Sequence, residues 1–142
     1  MAKITQFKGY TGEDAPPPKI PKPEVSPDPM IVNVQDGVPV AYPRCHGLGV
    51  RIVHPVNPKA PSKNIGLVHF YLPPHTLLEP GSHETEETYV ILEGEGTMTF
   101  ANGQRKVAKG DFVYLPPWCI HGIENTGREP LLVLICTSPP NP

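Results

Sequence analysis

The chain has 142 residues, enough for one domain with a single hydrophobic core. Its formal net charge is −2 with both signs interspersed, which argues against a nucleic-acid-binding protein or one that docks on an anionic membrane. No run approaches the ~20 apolar residues of a membrane helix. The first residues lack the apolar core of a signal peptide. Three cysteines without a Cys-x-x-Cys spacing argue against a disulfide framework. We therefore expect a cytoplasmic protein that binds neither nucleic acid nor membrane.

The N-terminal part of the chain is rich in proline. The sequence holds 21 prolines, and most of them precede residue 62. Because proline lacks a ladder donor and favours extended backbone before it, we expect residues 1–29 to form an extended, largely polyproline-like arm. This arm is either a loosely ordered tail or a segment that covers a sheet edge of its own chain or of a partner subunit. Short strands are predicted at residues 30–34 and 49–54.

The rest of the chain has the pattern of a β-protein. Alternating and apolar runs predict strands at residues 65–72, 88–92, 97–100, 112–115 and 131–136. The last of these is continuously apolar, so we expect it to be buried on both faces. No stripe of helical period is visible. We therefore predict an all-β barrel or sandwich over residues 30–137, followed by a tail at 138–142.

One hairpin of this barrel is predicted from its turn. Asn102-Gly103 lies between two β-prone runs, and such a pair favours a type I′ turn, which needs positive φ at both central residues. The expected register pairs Phe100 with Arg105 and Met98 with Val107. It places Met98, Phe100 and Val107 on one face.

Two blocks of sequence carry the candidate chemistry. In the first, His83 and Glu87 are four residues apart, directly before an apolar run. In the second, His121 follows a rigid Pro-Pro-Trp segment. Two neutral imidazoles and one carboxylate form a set of ligands suited to a divalent first-row metal, with coordination positions left open for water, substrate or oxygen. The ordinary alternative makes these residues surface histidines and a solvated glutamate.

The two blocks resemble the two motifs of the cupin superfamily. The second motif is matched at Gly110, Pro116, His121 and Asn125, with Trp118 where glycine is usual, and the first is matched at His83, Glu87 and Gly94. The resemblance covers roughly residues 64 to 137. It implies a double-stranded β-helix, or jelly-roll barrel, with a metal ion inside one open end. It also implies a homodimer.

The first motif departs from the family pattern at one expected ligand. The first histidine of the usual His-x-His falls on Gly81, which leaves a position open for a chelating substrate or for a substitute side chain. His75 is a poor substitute, because six extended residues span about 20 Å. His69 lies on the preceding strand and would return opposite residues 79–81 if residues 73–75 form the turn. We therefore expect His69 as the substitute ligand or as a pocket histidine.

Further residues are candidates for the pocket itself. Glu87 and Tyr89 are the candidate catalytic residues. Tyr89 shares the strand face of Glu87 and could present a phenol near the metal, although a half-buried strand tyrosine is the commoner case. Cys119 is two residues before His121, so it faces the cavity or packs in the core. With Gly81, the predicted pocket comprises Tyr71, Phe100, Phe112, Trp118 and Cys119. The aromatic residues among them could equally serve only to fill a barrel.

Several functions are compatible with this site. The first is a metal-dependent enzyme on a small organic substrate, with one divalent ion of Fe, Zn, Mn or Ni. Iron would suit a dioxygenase. The other metals would act as Lewis acids in an isomerase, cyclase or lyase. A different class is a non-catalytic cupin that binds a small ligand or a structural metal. A sugar-phosphate isomerase would need a basic pocket, whereas the lysines and arginines lie mostly in the arm and turns.

Overall fold

Two antiparallel β-sheets form the body of the protein. The structure is a computed structural model that describes residues 1–9 and 17–141. Within these residues the strands are β1 Val38–Val40, β2 Leu48–Val53, β3 Gly66–Leu72, β4 Leu77–Gly81, β5 Glu86–Glu93, β6 Glu95–Phe100, β7 Gly103–Ala108, β8 Phe112–Leu115, β9 His121–Glu124 and β10 Leu131–Ser138. One sheet has the order β1-β2-β3-β10-β5-β8 and the other β4-β9-β6-β7. The predicted all-β cupin barrel is confirmed.

The hydrophobic core lies between the two sheets, because the strands alternate inward and outward side chains. In β3 and β5 every second residue is buried, and these residues pack against inward side chains of β6, β9 and β10. The core is made of Val68, Phe70, Leu72, Tyr89, Ile91, Met98, Val107, Leu115, Ile123, Leu131, Val133 and Ile135. Strand β10 also alternates between buried and half-buried residues, so the expectation that it is buried on both faces was wrong.

The strand predicted at residues 30–34 is absent from the described chain. Residues Val34–Asp36 form a single 3-10 turn instead. Asn33 caps it, because its side chain accepts a hydrogen bond from the Gln35 N–H at 2.9 Å. The Asp36 carboxylate in return accepts from the Asn33 N–H at 3.0 Å, which completes a capping box. These local side-chain bonds compete with a sheet ladder and stop the chain from extending here. The other early strand is confirmed as β2.

The β6–β7 hairpin has a different turn from the predicted one. The observed pairs include Phe100 with Gly103, Met98 with Arg105 and Gly96 with Val107. The turn residues are therefore Ala101 and Asn102, and the positive φ of 131° falls on Gly103 at the start of β7. Asn102 does not take the positive φ that a type I′ turn requires. Because the register differs by two positions, no side chain changes face, and Met98 and Val107 are both buried as predicted.

The two ends of the chain differ from each other. The described part of the arm, residues 1–9 and 17–29, is exposed and has no strand. Residues 10–16 of the predicted arm, and Pro142 of the predicted tail, lie outside the described residues. After β10, in contrast, Asn141 turns back onto the barrel and contacts Glu87. Residues 138–141 are therefore not a free tail. In the described part of the chain, no helix has the length and apolar character needed to cross a membrane.

Candidate metal centre

Three predicted ligand side chains converge inside the barrel. The Nε2 atoms of His83 and His121 and the carboxylate of Glu87 offer ligand atoms that all lie within 4.8 Å of one another. His83 Nε2 is 3.4 Å from Glu87 Oε1, and His121 Nε2 is 3.2 Å from Glu87 Oε2. The two imidazole rings meet edge to face, with centroids 5.1 Å apart. The sequence spacing therefore identified a real cluster.

Each ligand residue is positioned by a different element. Glu87 lies on the inward face of β5 and is paired with Leu115 on one side and Thr137 on the other. His121 is the first residue of β9, between β4 and β6. His83 comes from the loop between β4 and β5. Strand β5, between β10 and β8, thus holds the carboxylate, the start of β9 holds one imidazole, and a loop holds the other.

Hydrogen bonds fix which nitrogen of each imidazole can bind a metal. His83 Nδ1 is 2.9 Å from the Thr85 main-chain oxygen, and His121 Nδ1 is 2.8 Å from the Cys119 main-chain oxygen. A carbonyl oxygen only accepts, so Nδ1 carries the proton in both rings. In the neutral imidazole the Nε2 lone pair is then free and points to Glu87. This is the arrangement by which outer hydrogen bonds orient histidine ligands of metals.

The carboxylate supplies the second indication that a cation belongs here. Glu87 Oε2 is fully buried and has no hydrogen-bond partner within the described residues. It faces the lone pair of His121 Nε2 at 3.2 Å, and two such acceptors repel each other unless a proton or a metal ion lies between them. Burial disfavours the charged imidazole, but the Glu87 carboxylate and the Cys119 carbonyl outweigh burial and raise the pKa of His121. The donor set and the unsatisfied oxygen therefore both fit a divalent metal.

A cavity of about 280 Å³ opens above this cluster. Its deep wall is apolar, and its mouth is formed by the turn before β2 and by β4. The lining residues include Tyr42, Arg44, Val68, Phe70, Leu78, Gly81, Tyr89, Ile135, Thr137 and Asn141. The volume and the mixed apolar and polar wall suit a small organic molecule.

Two tyrosines bring phenol groups to this cavity. Tyr89 is 2% exposed, and its ring lies edge-on to His121 with centroids 5.8 Å apart. Burial and then the Glu87 charge raise the pKa of Tyr89 well above its ordinary value. The same causes raise the pKa of Tyr42 to about 12. Neither phenol has a hydrogen-bond partner in the described part of the chain, so both can donate to a cavity ligand.

The structure does not bring His69 to the metal cluster. On β3 it alternates with Val68 and Phe70, which line the cavity, so its side chain lies on the outer face of the sheet. There His69 Nδ1 is 2.7 Å from the Tyr71 hydroxyl, and burial lowers the pKa of His69. The prediction of His69 as a ligand or pocket histidine, and of Tyr71 as a pocket residue, therefore has to be corrected. The turn brings β4 back beside β3, but the alternation of β3 places the His69 side chain on the face away from the cavity.

Four other predicted pocket residues lie outside the cavity. Phe112 and Trp118 are 73% and 64% exposed. Phe100 is half-buried against the core and shares an outer groove with Phe112. Cys119 packs against the core, and its contribution to the site is its main-chain oxygen, which orients His121. Of these aromatic residues, Phe100 packs against the core, whereas Phe112 and Trp118 are exposed and do not fill the barrel.

The main chain of Trp118 has a role that the sequence did not predict. It has a φ of 67°, which explains why glycine is usual at this motif position. Its N–H donates to the His83 oxygen at 2.8 Å, and its own oxygen accepts from the Ser82 hydroxyl at 2.8 Å. This residue therefore joins the loops of the two motifs.

The remaining motif residues fall where the spacing indicated. Gly81 lines the cavity and pairs with His121, and a Cβ atom built on it would meet nothing within 4 Å. His75 is exposed in the turn before β4, as its long reach predicted. Asn125 is buried outside the site, where its side-chain amide donates to the Leu72 and Glu129 oxygens at 2.8 Å. It shapes the turn before β10.

Some residues that line the cavity were not predicted from the sequence. Val68 and Phe70 could have been found from the alternation of β3. Tyr42 and Arg44 lie in a proline-broken segment without a periodic pattern, and Asn141 lay in the expected tail. Their place in the site is set by the return of distant segments to the barrel mouth, for which a local pattern gives no signal.

Comparisons with known proteins agree with this geometry. The Cupin_2 family model, described as a cupin domain, matches residues 68–137. An uncharacterized protein of Methanocaldococcus jannaschii is 50% identical over 58 residues, 41% of this chain and 46% of that protein. H2HPP isomerase of Bacillus subtilis is 31% identical over 65 residues, 45% of this chain and 28% of that protein. The match thus spans less than half the length of each of these curated relatives.

The solved structures give the same fold. The polyketide cyclase RemF of Streptomyces resistomycificus superposes with a TM-score of 0.69 at 17% identity, over 78% of this chain and 80% of that one. At this identity the likeness establishes the fold alone. With the matched family model, the two motifs and the barrel topology, the chain belongs to the cupin superfamily.

Proposed function

We propose that this protein is a metal-dependent enzyme that activates a carbonyl or carboxylate group of a small organic substrate, as an isomerase, cyclase or lyase. The observation that carries the proposal is the buried cluster of two Nε2 lone pairs and one unsatisfied carboxylate oxygen beneath a substrate-sized cavity. A relative named an isomerase, matched over part of its length, supports this reaction class.

The metal ion, one of Fe, Zn, Mn or Ni, would be held by His83, Glu87 and His121. When bound, it supplies Lewis-acid polarisation of a substrate oxygen. The chain's own residues do the rest. The apolar wall formed by Val68, Phe70, Leu78 and Ile135 excludes water and strengthens electrostatic interactions at the bottom of the cavity.

Tyr89 is the candidate hydrogen-bond donor to the substrate. Its raised pKa keeps the phenol protonated at neutral pH, and the ring contact with His121 places it beside the metal ligands. We propose that its O–H donates a hydrogen bond to the substrate oxygen as negative charge develops there, in the manner of an oxyanion donor. Glu87, predicted from the sequence as catalytic, acts in this proposal as a metal ligand.

The charge of the metal ion would favour an anionic substrate. Arg44 contributes the only Lys or Arg side chain among the described lining residues, and the Glu79 carboxylate of the same lining offsets its charge. A divalent ion with one carboxylate and two neutral imidazoles nevertheless leaves a net positive centre. We therefore propose a substrate with an apolar body and a carboxylate next to a second oxygen, such as a 2-oxo acid with an apolar side chain.

The first test is elemental analysis of the purified protein before and after chelation. The metal-loaded protein is then incubated in D2O with a 2-oxo acid that has an apolar side chain, and exchange of the C3 hydrogens is followed by proton NMR. Catalysed exchange that is lost with the metal supports the proposal. Tyr89→Phe should keep the metal and lose most of the exchange. Consumption of oxygen, measured with an oxygen electrode, would indicate a dioxygenase instead. Binding of metal or ligand without turnover would indicate a non-catalytic cupin.

Two expectations from the sequence remain proposals. We propose a homodimer in which the exposed arm contacts the second subunit, which sedimentation of the full chain and of a chain lacking residues 1–25 would test. We also propose a cytoplasmic location. The three cysteines, Cys45, Cys119 and Cys136, are free thiols, as a reducing compartment would leave them.

A further inference from the structure

The segment that follows β10 reaches the candidate metal centre. Asn141 lines the cavity, and its side-chain nitrogen donates to Glu87 Oε1 at 2.7 Å. Its main-chain N–H donates to the Thr137 hydroxyl at 3.3 Å. Only the NH2 end of the carboxamide can face an ionised carboxylate, because the oxygen end would repel it. Asn141 is therefore a specific hydrogen-bond donor to a proposed metal ligand.

A buried histidine holds Asn141 in this place. His54 is 3% exposed, and its Nε2 contacts the main-chain oxygen of Asn141. His54 Nδ1 accepts from the Val56 N–H at 3.3 Å, so in the neutral ring Nε2 carries the proton and donates to Asn141. The loop around His54 is itself fixed by the buried Asn57, whose side chain donates to the Ile52 oxygen at 2.6 Å. A fixed donor thus anchors the returning segment.

This contact makes the two oxygens of Glu87 unequal. Oε1 accepts the Asn141 hydrogen bond and lies 3.4 Å from His83 Nε2, whereas Oε2 is buried without a hydrogen-bond partner and lies 3.2 Å from His121 Nε2. A carboxylate held through one oxygen cannot rotate freely about its last bond. Its other oxygen then has a fixed direction.

We propose that Asn141, anchored by His54, is a positioning residue that makes Glu87 offer Oε2 as its single metal-binding oxygen. The inference rests on the proposed function, since it requires a metal at this cluster. Hydrogen-bond partners of metal ligands typically change metal affinity by about 10- to 100-fold when they are removed. Loss of the Asn141 amide should therefore weaken metal binding and also change the coordination, because Glu87 is then free to bind through both oxygens.

The test uses Co(II) as the probe, with affinity measured by chelator competition and coordination by the visible absorption bands. We expect Asn141→Ala to weaken Co(II) binding about tenfold and to alter the bands. Ser138→Ala is the matched control. Ser138 lies in the same segment, and its hydroxyl donates to the Asn64 oxygen at 3.1 Å, away from the site. This control should bind Co(II) as the wild type does.

His54 variants separate positioning from a general loss of stability. His54→Ala should weaken binding as Asn141→Ala does, and the double variant should be no weaker than either one, because the two residues act in series. His54→Gln keeps an N–H donor near the position of Nε2 and should restore most of the affinity. The melting temperature of the metal-free protein reports structural effects separately.

Wild-type affinity and unchanged bands in Asn141→Ala would overturn the inference, as would a lower melting temperature with no change in Co(II) binding. Additive losses in the double variant would also overturn it. If the wild-type protein binds no Co(II), Zn(II), Mn(II), Fe(II) or Ni(II), the proposed function fails and this inference fails with it. If the wild type binds metal and Asn141→Ala does not differ, only the inference fails.

Discussion

The two histidines of the site have the same chemistry but different supports. Each donates Nδ1–H to a main-chain oxygen two residues away, and each turns Nε2 toward Glu87. The His121 side chain is 5% exposed at the start of β9, whereas that of His83 is 36% exposed in a loop. That loop is tied to the second motif by the hydrogen bond from the Trp118 N–H to the His83 oxygen.

This difference divides the centre into two halves. Glu87 and His121 form a fixed half, and His83 forms an adjustable half. Glu87 and His121 are held by sheet hydrogen bonds and by the core, so they stay in place without a metal. We expect His83, which lies in a loop and is partly exposed, to be held less firmly than these two residues. Stability should therefore depend on the fixed half, and metal binding on both.

The largest effect is expected at the fixed half. His121→Ala should abolish stoichiometric metal binding, and it should lower the free energy of unfolding of the metal-free protein by about 2–3 kcal/mol, because the proton that lies between His121 Nε2 and the buried Glu87 oxygen is lost with the ring. Elemental analysis and urea denaturation measure the two effects. Metal retained at full stoichiometry would remove His121 from the site, and unchanged stability would contradict its assignment to the fixed half.

His83→Ala should separate the two properties. We expect it to abolish stoichiometric metal binding as well, but to change the free energy of unfolding by less than about 1 kcal/mol, because contacts of a partly exposed ion pair are weak. His69→Ala and His75→Ala are the controls and should bind metal normally, since one residue lies on the outer face and the other in an exposed turn. A large loss of stability in His83→Ala would mean that both halves are equally fixed.

Gly81→His adds a third imidazole on the fixed half. Gly81 pairs with His121, and the space around its side-chain position is open. We expect tighter metal binding and lower catalytic rate, because the new ligand fills the position proposed for substrate. Chelator competition and the exchange assay measure the two quantities. A lower rate without tighter binding would indicate a steric block, and a higher rate would contradict the proposed place of the substrate.

The pH dependence of stability should reverse when metal is added. The raised pKa of His121 means that the folded metal-free protein binds a proton more tightly than the unfolded chain does. The contribution of this proton to the stability of the metal-free protein is complete below about pH 6.5, the ordinary pKa of histidine. It is lost as the pH rises through the raised pKa of His121. Metal binding needs the neutral ring, so stabilisation by metal should instead grow with pH. Thermal melts with and without Zn(II) test this, and parallel profiles would contradict it.

The smallest effect is expected at the link between the halves. Trp118→Gly relieves a left-handed conformation but makes the unfolded chain more flexible, so stability should change by no more than about 1 kcal/mol. Metal affinity should stay near the wild-type value, because the hydrogen bonds to residues 82 and 83 are made by the main chain. A large loss of metal binding would show that the indole, and not the backbone, supports His83.

Patterns local to one segment were sufficient for most of the fold and for the three residues of the candidate metal cluster. The alternation in β5 placed Glu87 and Tyr89 on one face, and the motif spacing identified both histidines. The hairpin register was wrong, yet Met98 and Val107 were still predicted to be buried, because a shift by two residues preserves faces.

The errors arose where the outcome depends on distant parts of the chain. His69 was assigned by a turn argument, although the parity of β3 points it outward. Asn141 reaches the site only because β10 lies beside β5. The residues after β10 therefore lie at the mouth of the cavity. The φ of Trp118 is decided by the bonds between two loops. None of these follows from a local pattern.

The buried phenols of the cavity limit what a pH–rate profile could mean. Burial and the Glu87 charge raise the pKa of Tyr89 well above its ordinary value of 10.0. The same causes raise the pKa of Tyr42 to about 12. Across neutral and mildly alkaline solution both remain uncharged donors. A fall in turnover below about pH 10 would therefore have to come from the substrate, from metal-ligated water or from an imidazole, and not from tyrosine ionisation. The cavity would keep these two hydrogen-bond donors under conditions that deprotonate most exposed phenols.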